Sequence, residues 1–227
     1  MKLRPYFLVI LALAMLGIFA APSLILSAPR ESTMGLVQKI FYYHVPSAWT
    51  CFLATFVCAF GSGLYLFKGS EAGDRLAVAA AELTVLFGLC TLVTGPLWGR
   101  KAWGVYWVWD VRLTTTLLLW MIFIAYLFAR KYGGPGSKKL AAGLALFGAA
   151  DVPLIYFSVS IWRTIHPKTS VVPSVLSQPG MAMPFIVAML TFTIMFFVLL
   201  ELRVGLERAR ARVDELHLAA EDAGLEN

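Results

Sequence analysis

Charge is what this sequence has least of. Only 14% of its 227 residues are Asp, Glu, Lys or Arg, and 59% are hydrophobic. A soluble domain carries about a quarter charged residues, so the shortage excludes a soluble globular protein. Cysteine is scarce as well. Cys51, Cys58 and Cys90 are the three present, all inside apolar runs and none spaced Cys-x-x-Cys, which argues against disulfides and thiol redox chemistry and leaves them as small core residues. No Gly-rich phosphate loop occurs, so the chain does not hydrolyse nucleotide by the P-loop route, and any ATP hydrolysis belongs to a partner subunit. There is no internal repeat. Strand-like alternation is missing too, and because lipid tolerates no unpaired backbone, helices are the only way to cross a bilayer here.

What is present is a series of six apolar stretches, 6–26, 45–67, 76–97, 113–128, 140–162 and 181–202. At about 20 residues apiece each can cross ~30 Å of hydrocarbon, the short fourth one by borrowing from its flanks. The expected fold is an all-α polytopic membrane protein, a six-transmembrane-helix bundle over residues 1–202, followed by a helical tail over 203–227. Lys2, Arg4 and the Leu26-Ser27-Ala28 sequence give the first stretch some likeness to a secretory signal. Its apolar run exceeds the usual ~7–15 residues of such a signal, so it reads as an uncleaved first helix.

Basic residues give the orientation. With a cytoplasmic N-terminus, twelve Lys and Arg fall on inner segments, Lys2, Arg4, Lys68, Arg75, Arg130, Lys131, Lys138, Lys139, Arg203, Arg208, Arg210 and Arg212, against seven outside. The excess favours both termini inside. The net charge of +6 then reflects inner anchors and calls for no nucleic-acid partner. In the tail, Leu202, Leu206, Ala209, Val213 and Leu216 form a narrow apolar seam, and Arg203 and Glu207 are placed for an i,i+4 ion pair.

The unusual residues gather in the outer loops. Trp98, Trp103, Trp107 and Trp109, with Tyr106, Asp110 and Arg112, crowd into the loop 98–112, between the third and fourth stretches. Aromatic belts account for one or two such rings at an interface. Four tryptophans with Gly99 and Gly104 among them instead suggest a platform for a large flat amphipathic ligand, with a plain belt as the alternative. If this stretch is helical, Trp103 and Trp107 share a face. His44 precedes the second stretch and His166 follows the fifth, both on the side of the tryptophans. Two imidazoles from different loops can clamp a haem iron from opposite faces. Zinc is the other possibility, with Glu31 or Asp110 completing the ligands it requires. Arg112, ahead of Arg100, Lys101 and Lys168, suits a propionate because Arg offers two parallel hydrogen bonds to a carboxylate; Asp110 could orient Arg112 or a tryptophan N–H. Asp151, two residues before Pro153, puts a carboxyl at bilayer depth, either to hold the proline kink against a neighbouring helix or to serve function. Glu82, nearer the inner interface, is expected to snorkel or pair.

Three segments in order, His44-Val45-Pro46-Ser47-Ala48-Trp49, Trp107-Val108-Trp109-Asp110-Val111-Arg112 and Ser158-Val159-Ser160-Ile161-Trp162-Arg163-Thr164-Ile165-His166, resemble the cytochrome c maturation protein C family of tryptophan-rich "WWD" haem-handling proteins. The resemblance runs from about residue 35 to 200, with Tyr106 where tryptophan is common. It implies non-covalent haem b at the periplasmic face of a bacterial inner membrane, held by His44 and His166 as axial ligands. The tryptophan-rich segment Trp98 to Asp110 would be the haem platform and the docking surface for a haem chaperone, maturation protein E. The implied partners are the ABC transporter subunits A and B and the small membrane protein D. Such a protein delivers haem and is no enzyme. The alternatives are a permease subunit of an ABC haem exporter and a b-type cytochrome oxidoreductase. The latter is disfavoured because no histidine lies in the inner half of any span.

Overall fold

A computed structural model describes residues 5–31, 34–167 and 171–223. Lys2, Arg4 and Lys168, named above, lie outside them. Among the described residues the chain is all helical, with no strand and six helices long and apolar enough to cross a membrane. These are α1 (Pro5–Ser27), α2 (Phe41–Lys68), α3 (Glu71–Trp103), α4 (Val111–Tyr132), α5 (Ser137–Ile161) and α7 (Ala182–Asp222); α6 (Val171–Leu176) is one short turn before α7. They coincide with the six apolar stretches, and differ from them at the ends.

The differences have local causes. A 3₁₀ turn at Leu36–Ile40 runs straight into α2, so His44 lies in that helix's first turn and not ahead of it. Nothing stops α3 at residue 97. It continues to Trp103 and ends at Gly104, whose φ of 78° is the left-handed conformation glycine adopts without strain. The loop between α3 and α4 is therefore only residues 104–110, and Trp103 and Trp107 share no helical face. The seam after Leu202 belongs to the unbroken 41-residue α7.

The α2–α3 hairpin is the framework. Gly69 (φ 63°) closes α2, and Ser70 caps α3 by accepting the Gly73 N–H at 3.1 Å. Just beyond this turn the two backbones touch. A Cβ on Gly61 would lie 2.6 Å from the Gly73 carbonyl, and one on Gly73 2.8 Å from the Gly61 carbonyl. Small residues let membrane helices pack this closely, where dispersion replaces the hydrophobic effect. Gly148 likewise admits Phe123 between α4 and α5, and Gly17 admits Thr191 between α1 and α7. The main core, including Ala54, Cys58, Ala80, Phe87, Phe123, Tyr126 and Phe196, lies where α2, α3, α4, α5 and α7 meet.

Ion pairs, from the buried Asp74–Arg130 to the exposed Lys138–Glu71, fasten the bundle towards the end far from the histidines. Asp74 accepts from Arg130 at 2.8 Å and lies 3.5 Å from Lys138, which also meets Glu71 at 2.7 Å. Glu82 pairs with Arg203 of α7, the pairing role expected of it. Arg203 reaches Glu207 at 3.9 Å, the i,i+4 pair expected from the spacing.

Gly61→Val should lower the unfolding midpoint of the purified protein, by roughly 1–3 kcal/mol of overpacking, because its Cβ meets backbone. Gly63→Ala, which meets nothing within 4 Å, is the control and should leave the midpoint nearly unchanged. Equal midpoints for both would remove the hairpin contact from the account.

Candidate functional site

One cavity of about 900 Å³, counting its open mouth, lies at the histidine end between α2, α3 and α4. His44, Trp98, Trp103, Tyr106, Trp107, Arg112 and His166 all line it. Trp109 and Asp110 do not.

The two imidazole rings lie with centres 6.5 Å apart and planes tilted by 39°. A metal–imidazole bond is about 2 Å and the ring centre lies about 1 Å further on, so two imidazoles on opposite sides of one metal ion stand about 6 Å apart. The ring nitrogens agree with that arrangement. Nδ1 of His166 lies 2.9 Å from the Pro167 carbonyl, an acceptor only, so Nδ1 carries the proton. Nδ1 of His44 lies 2.9 Å from Thr94 Oγ1, and the Thr94 hydroxyl donates to the Cys90 carbonyl at 2.7 Å. Each Nδ1 thus lies against an oxygen able to accept its proton, which favours the Nδ1–H form, the one a metal-ligating histidine requires.

His166 is held by a relay. Asp110 caps α4 by accepting the Leu113 N–H at 2.8 Å, and its other oxygen accepts the Thr164 hydroxyl. Thr164 Oγ1 in turn accepts the His166 backbone N–H at 3.0 Å. Asp110 therefore fastens the tryptophan loop to the segment that carries His166, and both its oxygens are engaged. Among the described residues no cluster of three or more His, Cys, Asp or Glu side chains could hold a metal ion. Zinc would need such a set.

The tryptophans divide by position. Trp98 is buried, 6% exposed; its N–H donates to Met34 Sδ at 3.3 Å, and its ring edges His44 at 5.8 Å and leans on Trp103 at 6.2 Å. Trp107 also lines the cavity, and its buried Nε1–H has no hydrogen-bond partner among the described residues. Tyr106 lies under the Arg100 guanidinium, 5.6 Å from its ring centre, and Arg100 also bonds the Gly104 carbonyl at the end of α3. Trp109 is 74% exposed and edges Trp107 at 5.7 Å. Among the described cations considered, Arg100, Lys101 and Arg112, only Arg112 lines the cavity. Its Nη1 is buried without a hydrogen-bond partner among the described residues, and its charge lies within reach of both imidazoles.

Three lining or supporting residues were not singled out from sequence. Trp120 helps form the floor, donates to the Val85 carbonyl at 3.0 Å and lies against Gly88, where a Cβ would come within 2.9 Å of it. Thr94 and Thr164 support the two histidines. A threonine in an apolar run carries no signal of its own until the helix opposite is known. Asp151 is buried in α5, and its Oδ2 has no hydrogen-bond partner among the described residues. Cys51 is a free thiol in the cavity floor.

Burial, and then the Arg112 charge, push His166 down to about 4. The folded protein thus refuses a proton that the unfolded chain accepts below about 6.5, so this group costs stability as pH falls from there towards 4. In ligand-free protein His166 should still be neutral at pH 5.5, with a ring-shift midpoint near 4 in an NMR titration. A midpoint near 6.5 would contradict its burial.

A family model described as Heme exporter protein C matches residues 1–219. The chain is 34% identical over 195 residues to the Heme exporter protein C of Bradyrhizobium diazoefficiens, covering 84% of this chain and 74% of that protein. It is 31% identical over 226 residues to the Heme exporter protein C of Haemophilus influenzae, covering 98% and 87%. A putative cytochrome c biosynthesis ccmC-like mitochondrial protein of Marchantia polymorpha is 36% identical over 144 residues, 63% of this chain and 61% of the relative.

Proposed function

The chain belongs to the haem exporter protein C family, and from that membership and the cavity's geometry we propose that it holds one haem b between His44 and His166 and delivers it to a haem chaperone, maturation protein E. The family role is haem handling in cytochrome c maturation, and the chain is a multi-pass membrane protein of transport type, not an enzyme. Haem is its cargo. The observation that carries the proposal is the pair of imidazoles with ring centres 6.5 Å apart, each with its Nδ1 against an oxygen acceptor.

The other cavity residues take roles around that pair. Trp98 backs His44; Trp103, Tyr106 and Trp107 are walls against which a porphyrin face or edge rests. Arg112, with a buried donor awaiting an acceptor, takes a propionate. Asp110 acts through Thr164, holding the His166 segment. Trp109, exposed and outside the cavity, belongs to the surface that meets the chaperone. The site then lies on the periplasmic side of a bacterial inner membrane, with both termini and the end of α7 in the cytoplasm. Subunits A and B supply ATP-driven release of the loaded chaperone, and small protein D accompanies them. His217, the third histidine, lies near the far end of α7, away from the pair, which gives no support to a chain of haems across the bilayer.

Absorption spectra of the purified protein test the ligands. Wild type should show a six-coordinate, low-spin haem with two imidazoles, and His44→Ala and His166→Ala should each abolish it; unchanged spectra in both variants would end the assignment. A second experiment separates holding from handing over. Trp107→Ala should weaken haem retention about tenfold, ~1.4 kcal/mol, whereas Trp109→Ala should retain haem and lose cross-linking to the chaperone. If the two variants behave alike, the division drawn between them is wrong.

A further inference from the structure

His44 is held from a different helix. Its ring rests against α3 where Gly95 has no side chain: a Cβ there would lie 3.2 Å from His44 Cε1. Trp98, further along α3, edges the same ring at 5.8 Å. Two polar groups of α3 lie by the ring: Thr94 Oγ1, 2.9 Å from Nδ1, and the Thr91 backbone carbonyl, which also interacts with the imidazole. A hydroxyl has one proton to give. Thr94 spends it on its own helix, on the Cys90 carbonyl at 2.7 Å, with a longer 3.4 Å approach to the Thr91 carbonyl. What remains towards His44 is lone pair.

We propose that Thr94 is the positioning residue of His44: its hydroxyl, oriented by the Cys90 carbonyl, holds the imidazole in the Nδ1–H form with Nε2 aimed into the cavity. A neutral histidine side chain in water prefers the opposite form, with the proton on Nε2, which occupies the nitrogen a metal needs. Choosing the tautomer in advance removes that rearrangement and fixes the ring's rotation, the two ways an outer partner tunes a metal-ligating histidine. His166 obtains the same tautomer from the Pro167 carbonyl in its own segment. The clamp is thus asymmetric, with His44 locked between two membrane helices and His166 set by its local backbone. The ligand role rests on the haem reading above; the tautomer does not.

The test uses full-length protein carrying 15N-labelled histidine, with and without added haem, in wild type, Thr94→Val and Thr94→Ser. Thr94→Val keeps the shape and removes the hydroxyl; Thr94→Ser keeps the hydroxyl. Without haem, the His44 ring, identified by loss of its signals in His44→Asn, should be in the Nδ1–H form in wild type and Thr94→Ser. It should move mainly to Nε2–H in Thr94→Val. With haem, Thr94→Val should retain it 10- to 100-fold more weakly and show a reduced low-spin fraction, and Thr94→Ser should restore both. A structural threonine whose loss loosened only packing would be rescued by valine better than by serine. An Nδ1–H ring in Thr94→Val, or haem retention and spin state equal to wild type, overturns the proposal. If wild type takes up no haem while the tautomer still follows the hydroxyl, the haem reading falls and the positioning of His44 stands.

Discussion

Backbone contact between α2 and α3 governs everything at the histidine end. Where Gly61 and Gly73 meet, no side chain separates the helices, and from there they run side by side to the cavity. That contact sets which residue of α3 lies across from His44. It brings up Gly95, against which the ring rests, Thr94, which bonds it, and Trp98, which edges it. In a bilayer, water cannot satisfy a misplaced imidazole or hydroxyl, so a slipped register would strand several polar groups at once. The glycine contact and the polar contacts reinforce one another along a single pair of helices.

The remainder of the site is attached to that hairpin by polar links of a different kind. α4 begins at Asp110, which caps the helix and reaches Thr164. Through Thr164 the segment carrying His166 is tied to the tryptophan loop. The two histidines thus reach the cavity by unlike routes, one from inside a membrane helix and one from an irregular segment. A binding pair that must both hold and surrender a ligand benefits from that inequality, because a segment with few buried contacts opens at lower cost than a packed helix.

Much of the site was legible in the sequence because its chemistry is rare there. With three histidines in the whole chain, His44 and His166 stood out, and topology alone put them on one side. The tryptophans stood out in the same way, but their division did not. Trp98 and Trp109 are the same residue type eleven positions apart, one 6% and the other 74% exposed. What separates them is that α3 persists past residue 97 and stops only at Gly104, so that Trp98 stays on a packed helix while Trp109 lies on the loop. The helix end itself was hidden because the apolar run stops at Leu97, while α3 carries on through Gly99, Arg100 and Lys101 to Trp103. Thr94 and Thr164 were invisible for a simpler reason. A hydroxyl acquires meaning only from the partner it meets, and their partners are 50 and 54 residues distant in the chain.

By itself, then, the amino-acid sequence determined the class, the number of crossings and the inventory of unusual side chains. Those follow from hydrocarbon thickness, from the need for every backbone group in lipid to be bonded internally, and from composition, all of which act on local segments. Only the tertiary structure decided which of those side chains share a cavity, which oxygen lies against each histidine's Nδ1, that Arg112 and Trp107 keep buried donors without partners among the described residues, and that Asp110 fastens one loop to another. These are matters of register between distant helices. Register is set by close packing at a few glycines, and no stretch of the chain taken alone contains it.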